Sequence, residues 1–234
     1  MATIADRIAA VPPEVVEELR RFNTPTVSNA IETFNLRPRD SGCSMHQVKC
    51  LFPEFGAFVG FAATATMMSG QPGGRPRRVN RREYWEYLAA APRPTLVVMQ
   101  DLTDPPAGAY WGEVNTNIHR ALGCSALVTN GSVRDLDEVR PQRFPIWAGA
   151  VTVSHAYAHL EDFGKAVKIG SLLIEPGALI HADQHGFVIV PHEIAARVPE
   201  AAREVERKER KIISLCGSAE FSIDQLDGLV HPDY

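Results

Sequence analysis

Lysine is nearly missing from this chain: Lys49, Lys165, Lys168, Lys208 and Lys211 stand against nineteen arginines in 234 residues. Imine chemistry needs a buried lysine of lowered pKa, so with only Lys165 and Lys168 in a strand-like segment it ranks low. Cysteine is also sparse. Cys43, Cys50, Cys124 and Cys216 form no CxxC or CxxH, which argues against a structural zinc site or a dithiol motif. Reduced thiols in a cytoplasmic compartment are the expectation, with Cys124 as a small packing residue. No HExxH surrounds His155 and His159, no GxSxG surrounds Ser132, and neither GxGxxG nor GxxxxGK[ST] occurs. Zinc-peptidase, serine-hydrolase and phosphate-loop readings therefore have no support. No stretch approaches the length of a membrane span. The start, MATIADRIAAVPPEVV, carries Asp6 and Arg7 and does not read as a secretory signal. A net charge of −4 gives no basic field, so nucleic acid is not indicated as a partner.

What is present is ordinary for a globular protein: 45% hydrophobic and 22% charged residues. The length suits a single core, since all-β and α/β domains of this size often fold as one unit. Pro12-Pro13 followed by EVVEELRRF predicts a first helix, acidic at the front and basic at the back. TPTVSNAIETF predicts a second, capped by Thr24 and with Val27, Ala30, Ile31 and Phe34 on one face. Strands are expected around 47–51, over 57–68 and over 95–100, with a helix in REYWEYLAAA. Five arginines between Arg75 and Arg82 lie in a Gly- and Pro-rich loop. That loop reads first as a solvated surface, with an anionic substrate group or a neighbouring subunit as alternatives. FPIWAGAVTV reads as a strand, and KAVKIGSLLIEPGALIHADQHGFVIVP as successive β segments broken by a Pro-Gly turn and by 183–186. A helical segment from about 191 to 215, broken or kinked at Pro199, closes the pattern.

The chemistry concentrates between Trp111 and Glu138, WGEVNTNIHRALGCSALVTNGSVRDLDE. Gly112 and Glu113 open a helix with Val114, Ile118, Ala121 and Leu122 on one face. The first-turn amides of such a helix suit a carboxylate or phosphate, although an acid at Glu113 is favourable there without any catalysis. Asn130-Gly131 reads as a tight turn that delivers Arg134 and Asp135 past a strand's carboxyl end. Arg134 offers a planar fork for a carboxylate or an enolate. Asp135 fits two roles equally, a capping box with Glu138 or a metal ligand. Adjacent side chains usually point apart, so a mere Arg134–Asp135 salt bridge is not expected.

The spacing Glu113, twenty residues, Arg134-Asp135, two residues, Glu138 resembles the signature of the RraA-like family. That family includes the 4-hydroxy-4-methyl-2-oxoglutarate/4-carboxy-4-hydroxy-2-oxoadipate aldolases and the regulators of ribonuclease activity. TPTVSNAIE, NGSVRDLDEVRPQRFPIWAGA and VKIGSLLIEPGALIHADQHGFVIVP extend the likeness. It implies one domain over 1–234, a swivelling-type α/β/β sandwich. Helical segments at about 13–35 and 191–215 would flank a core of about 47–190, assembled as a homotrimer or a hexamer. It implies a divalent metal, Mg²⁺ or Mn²⁺, with Asp135 as direct ligand and Glu113 positioning water on it. Arg134 would stabilise an enolate, and Gly112, Val114 and Asn115 would hold the carboxylate of a 2-oxo acid. The expected reaction is retro-aldol release of pyruvate with oxaloacetate decarboxylation beside it; the alternatives are a non-catalytic ribonuclease regulator or another 2-oxo or sugar acid reaction. Asn130 and Asn29 stand where the family often has aspartate, and the arginine loop has no counterpart in its pattern.

Overall fold

A computed structural model describes residues 8–9, 11–44, 46, 48–74 and 79–230. Arg75, Arg77 and Arg78 of the arginine loop, and Gln47 of the strand expected at 47–51, lie outside the described residues. Two helices, α1 (Pro13–Leu19) and α2 (Thr24–Glu32), precede β1 (Lys49–Cys50) and the long β2 (Phe58–Met68). There follow α3 (Arg81–Ala90), β3 (Thr95–Asp101), β4 (Ala109–Trp111), α4 (Glu113–Ala121), β5 (Cys124–Val133) and α5 (Leu136–Val139). The strands β6 (Ile146–Val151), β7 (His159–Phe163), β8 (Val167–Ile169), β9 (Leu172–Ile174), β10 (Leu179–Asp183) and β11 (Gly186–Val190) come next, then α6 (Val198–Cys216) and α7 (Ile223–Leu229).

Four parallel strands in the order β6-β5-β3-β2 form the centre of the main sheet. β1 pairs antiparallel with β6, and β10 and β11 continue antiparallel beyond β2. β7 borders the second half of β2, and β4 borders the end of β5. The period of two assigns the faces. Ala63, Val97, Leu127 and Ile146 join Tyr84 and Leu88 of α3 in one core. Ala62, Leu96, Ala126, Val128 and Trp147 meet Val167, Ile169, Ile174 and Phe187 in another. A third core forms where α1, α2 and α6 pack Val16, Leu19, Val27, Ile31, Val198 and Ala202 on Val59, Phe61, Leu179, Val188 and Val190. Burial on both faces explains why β2 reads as a near-continuous apolar run rather than an alternating one. This is the mixed α/β architecture implied by the resemblance, with helical segments before and after the sheet.

Several local expectations are corrected. Asn130-Gly131 is no turn, because both residues lie inside β5. The Asn130 side chain substitutes for a backbone pair: its Oδ1 accepts from Asp101 N (2.8 Å) and its Nδ2 donates to Asp101 O (2.9 Å). Each bond contributes about 1 kcal/mol net, and together they bridge the register shift where β5 leaves β3 and takes up β4. Asn23, not Thr24, caps α2, accepting from Thr26 N at 2.8 Å. The Thr24 hydroxyl is engaged with His181 instead. Pro199 sits in the first turn of α6, where its missing N–H costs nothing, so it starts that helix rather than breaking it. The apolar face predicted for α4 is reversed as well: Thr116 and His119 are buried while Val114 is 70% exposed.

Candidate functional site

Parallel strands bring their carboxyl ends to one edge of a sheet, and the connections leaving that edge can share one space. Here four do so: Arg81 and Trp85 on α3, Gly112 to Ile118 at the start of α4, Arg134 and Asp135 after β5, and His155 to Ala158 after β6. They enclose a polar cavity of about 320 Å³, lined also by Ala109 and Tyr110.

Asp135 is not the side-chain cap of α5. At φ 57°, ψ 44° it is left-handed, and its side chain makes no capping bond to α5. The carboxylate turns back toward α4, where Oδ2 accepts from Glu113 N at 3.1 Å. The same turn brings Arg134 Nε to 3.6 Å from Asp135 Oδ2, so the two side chains converge where adjacent residues were expected to diverge. Both are more than a third exposed, which makes the pair worth well under about 1 kcal/mol to stability. Gly112 is packed so closely that a Cβ there would overlap Asp135 Oδ2.

The first turn of α4 is held from below. The Thr116 hydroxyl donates to Gly112 O (2.9 Å) and accepts from the Trp111 indole N–H (2.8 Å). Asn115 Nδ2 donates to Tyr110 O at 2.5 Å. Glu113 joins this site through its amide; its carboxylate is exposed and the cavity walls are formed by Gly112, Val114 and Asn115. Val114 and Asn115 are placed by position in the helix to offer amides without intrahelical acceptors.

His119, one turn on, fixes its own tautomer. Asn115 O can only accept, so Nδ1 carries the proton (2.6 Å). Nε2 must then accept from the Tyr84 hydroxyl (3.0 Å). Burial pushes the His119 pKa down to about 4, outweighing the bond to Asn115. The unfolded chain therefore binds a proton below its ordinary value that the folded chain refuses, so stability falls as pH drops through that window. Between about pH 7.5 and about pH 5 this group alone removes about 2 kcal/mol. His119→Gln should flatten that stretch of the melting-temperature profile in calorimetry. An unchanged slope would place the loss elsewhere, with His181, which burial also shifts downward, as the next group.

Sequence reading found Gly112, Val114, Asn115, Arg134 and Asp135, all on the cavity wall. It missed Trp85, Tyr110, His155 and Ala158. Only the arginine-rich segment ending at Arg82 gave a signal for the α3 side, and of its members Arg81 lines the cavity.

Comparison with known proteins places these features. The family model RraA-like, described as Aldolase/RraA, matches residues 24–189. A Halalkalibacterium halodurans protein named "Putative 4-hydroxy-4-methyl-2-oxoglutarate aldolase" is 24% identical over 124 residues, 51% of this chain and 59% of that one. The curated relatives are matched over 21% to 59% of their own length. An uncharacterized protein from Pseudomonas syringae superposes with a TM-score of 0.73 at 23% identity, covering 94% of this chain and 95% of that one. RraAS2 of Streptomyces coelicolor, described as an unusual member of the RNase ES inhibitor RraA family, superposes with a TM-score of 0.67 at 24% identity, covering 86% and 96%. The two structural likenesses establish the shared fold.

Proposed function

The chain belongs to the RraA-like family, and on that premise we propose that it is a divalent-metal-dependent lyase that cleaves a 4-hydroxy-2-oxo acid and releases pyruvate. The family holds both aldolase-like members and ribonuclease inhibitors. The observation that favours the enzyme is one cavity in which Asp135, Arg134 and the first turn of α4 meet.

The donor set is compatible with a hard cation. Among the described residues no three His, Cys, Asp or Glu side chains converge as a metal cluster; in this reading the Asp135 carboxylate on the cavity wall would be the protein ligand, with water completing the shell. Mg²⁺ and Mn²⁺ accept few carboxylates and retain water, whereas structural zinc asks for nitrogen or sulfur. When bound, such an ion supplies positive charge for the oxygens of a 2-oxo acid.

The chain's own groups do the rest in this reading. Amides of Val114 and Asn115 hold the C1 carboxylate at the positive end of α4. Arg134 faces the C2 oxygen, where negative charge develops as the C3–C4 bond breaks and its electron pair passes into the enolate. The C4 hydroxyl loses its proton as C4 becomes a carbonyl. His155 lines the cavity and its Nδ1 donates to Ala156 O (2.8 Å); in this reading its Nε2 accepts that proton and returns it to C3 of the enolate, which completes pyruvate. We also propose a trimer or dimer of trimers, supported by the exposed Val114, Val151, Val153 and Tyr157.

The test is pyruvate release from 4-hydroxy-4-methyl-2-oxoglutarate and from oxaloacetate, with Mg²⁺ and with a chelator. Turnover that the chelator abolishes and added Mg²⁺ or Mn²⁺ restores is expected. Absence of turnover on both acids would leave the ribonuclease-regulator reading in its place.

A further inference from the structure

The cavity wall has two halves that come from different parts of the fold. Arg134, Asp135 and His155 stand on the segments that leave β5 and β6. Trp85 stands on α3 and Val114, Asn115 and Ile118 on α4, so the width of the cavity depends on how those two helices are held together. They are tied at two levels. Arg93, just past α3, donates from Nη2 to Ala89 O (2.9 Å) and to Leu122 O (2.7 Å), which joins the carboxyl ends of both helices. Nearer the cavity, the Tyr84 hydroxyl donates to His119 Nε2. This second tie is buried directly behind the wall, since Tyr84 precedes Trp85 and His119 follows Ile118.

Packing alone does not require a polar tie there. A leucine at position 119 facing a phenylalanine at position 84 would fill the same space and leave no polar group to satisfy. Instead, burial holds the proton on the Tyr84 phenol and keeps His119 neutral, so donor and acceptor are both fixed. The Trp111 ring covers the imidazole at a centroid separation of 4.2 Å, and its indole N–H holds Thr116. On its other side His119 donates to Asn115 O (2.6 Å), and the Asn115 side chain is anchored on Tyr110 O. A hydrogen bond fixes distance and direction where apolar contacts can slide. We infer that Tyr84 and His119 are positioning residues: their bond sets the separation of the α3 and α4 walls, and through it the affinity of the cavity for a 2-oxo acid. The metal end, carried by the turn after β5, keeps its own affinity. The lyase reading enters only through the choice of a 2-oxo acid as ligand.

Isothermal titration distinguishes this role from a purely structural one. With Mg²⁺ present, Tyr84→Phe should weaken pyruvate binding by about tenfold, while Mn²⁺ titrated alone should bind within about twofold of wild type. The same variant should melt a few degrees earlier, because His119 Nε2 is left buried without a donor. Tyr84→Phe combined with His119→Leu removes both polar partners. Its melting temperature should return close to that of wild type, since two apolar groups replace a satisfied pair, while pyruvate binding stays weakened.

Pyruvate affinity that recovers together with the melting temperature in the double variant overturns the inference, because packing alone would then set the wall. So does a Tyr84→Phe variant that binds pyruvate as the wild type does, or one that loses Mn²⁺ and pyruvate affinity equally. A wild-type protein that binds no pyruvate in the presence of Mg²⁺ overturns it as well. Weakened pyruvate binding in both variants of a protein that cleaves neither test acid sinks the lyase reading and leaves the two positioning residues standing.

Discussion

Asp135→Ala is expected to lower metal-dependent kcat/KM by at least about 10³-fold, at the upper end of what loss of one preorganised electrostatic group costs. Three relations of the carboxylate disappear together: the bond from Glu113 N, the approach of Arg134 Nε and the carboxylate oxygen pair that Asp135 brings to the cavity wall. Alanine also has to hold φ 57°, at about 1 to 2 kcal/mol. A fall in activity could then reflect a shifted backbone. Asp135→Asn separates the causes, because asparagine tolerates the left-handed region and can still accept from Glu113 N while losing the negative charge. Both variants should lose turnover, and only the alanine should melt earlier, by a few degrees. More than about a tenth of wild-type turnover in Asp135→Asn would remove Asp135 from the metal-ligand role, since a neutral amide cannot replace a hard anionic ligand at that cost.

The fold was legible wherever pattern and packing agree locally. The apolar runs of β2 and β3, the Pro-Gly turn before β10 and the polar turn before β11 need only the period of the chain and its breakers. The failures came from partners distant in sequence. Asn130-Gly131 has turn composition, yet Asp101, twenty-nine residues away, takes up the Asn130 amide and keeps the strand extended. In α4 the polar Thr116 and His119 are buried because Trp111, Gly112, Asn115 and Tyr84 satisfy every bond they make, a sum that hydrophobic periodicity does not include. Val114 and Ile118 then face the cavity rather than the core. The site divided in the same way. Arg134 and Asp135 stood out by spacing within one stretch, and the family resemblance raised Asp135 above a helix cap. Trp85 and His155 depend on how α3 and the segment after β6 dock, so no local pattern marks them, and Arg81 was marked only as one of five arginines in its segment.

Gly112→Ala should lower activity by about 10²-fold, short of the about 10³-fold expected for the loss of Asp135, and for a reason that is steric rather than conformational. Gly112 has φ −164°, extended backbone that alanine adopts freely, and as the cap of α4 it uses no side chain. What alanine lacks is room: its Cβ would overlap Asp135 Oδ2 and stand 3.1 Å from both Asp135 Cγ and Arg134 Cγ. The Asp135 side chain is the group that gives way, since its Oδ2 is held only by the bond from Glu113 N and swinging it aside breaks that bond. The carboxylate has to move by roughly 1 Å, a displacement that costs about 10²-fold in rate when it occurs among reacting groups. Stability should fall by only about 1 kcal/mol, since the cap loses little and the cavity side is open to solvent. The decisive measurement is a double-mutant cycle on kcat/KM. If Gly112 acts by leaving space for the carboxylate, Gly112→Ala should add almost nothing to Asp135→Ala, and the shortfall from additivity should approach the whole single-mutant effect. Full additivity would mean that the glycine serves the turn in some way independent of Asp135. The close packing of Gly112 on Asp135 would then have no bearing on catalysis.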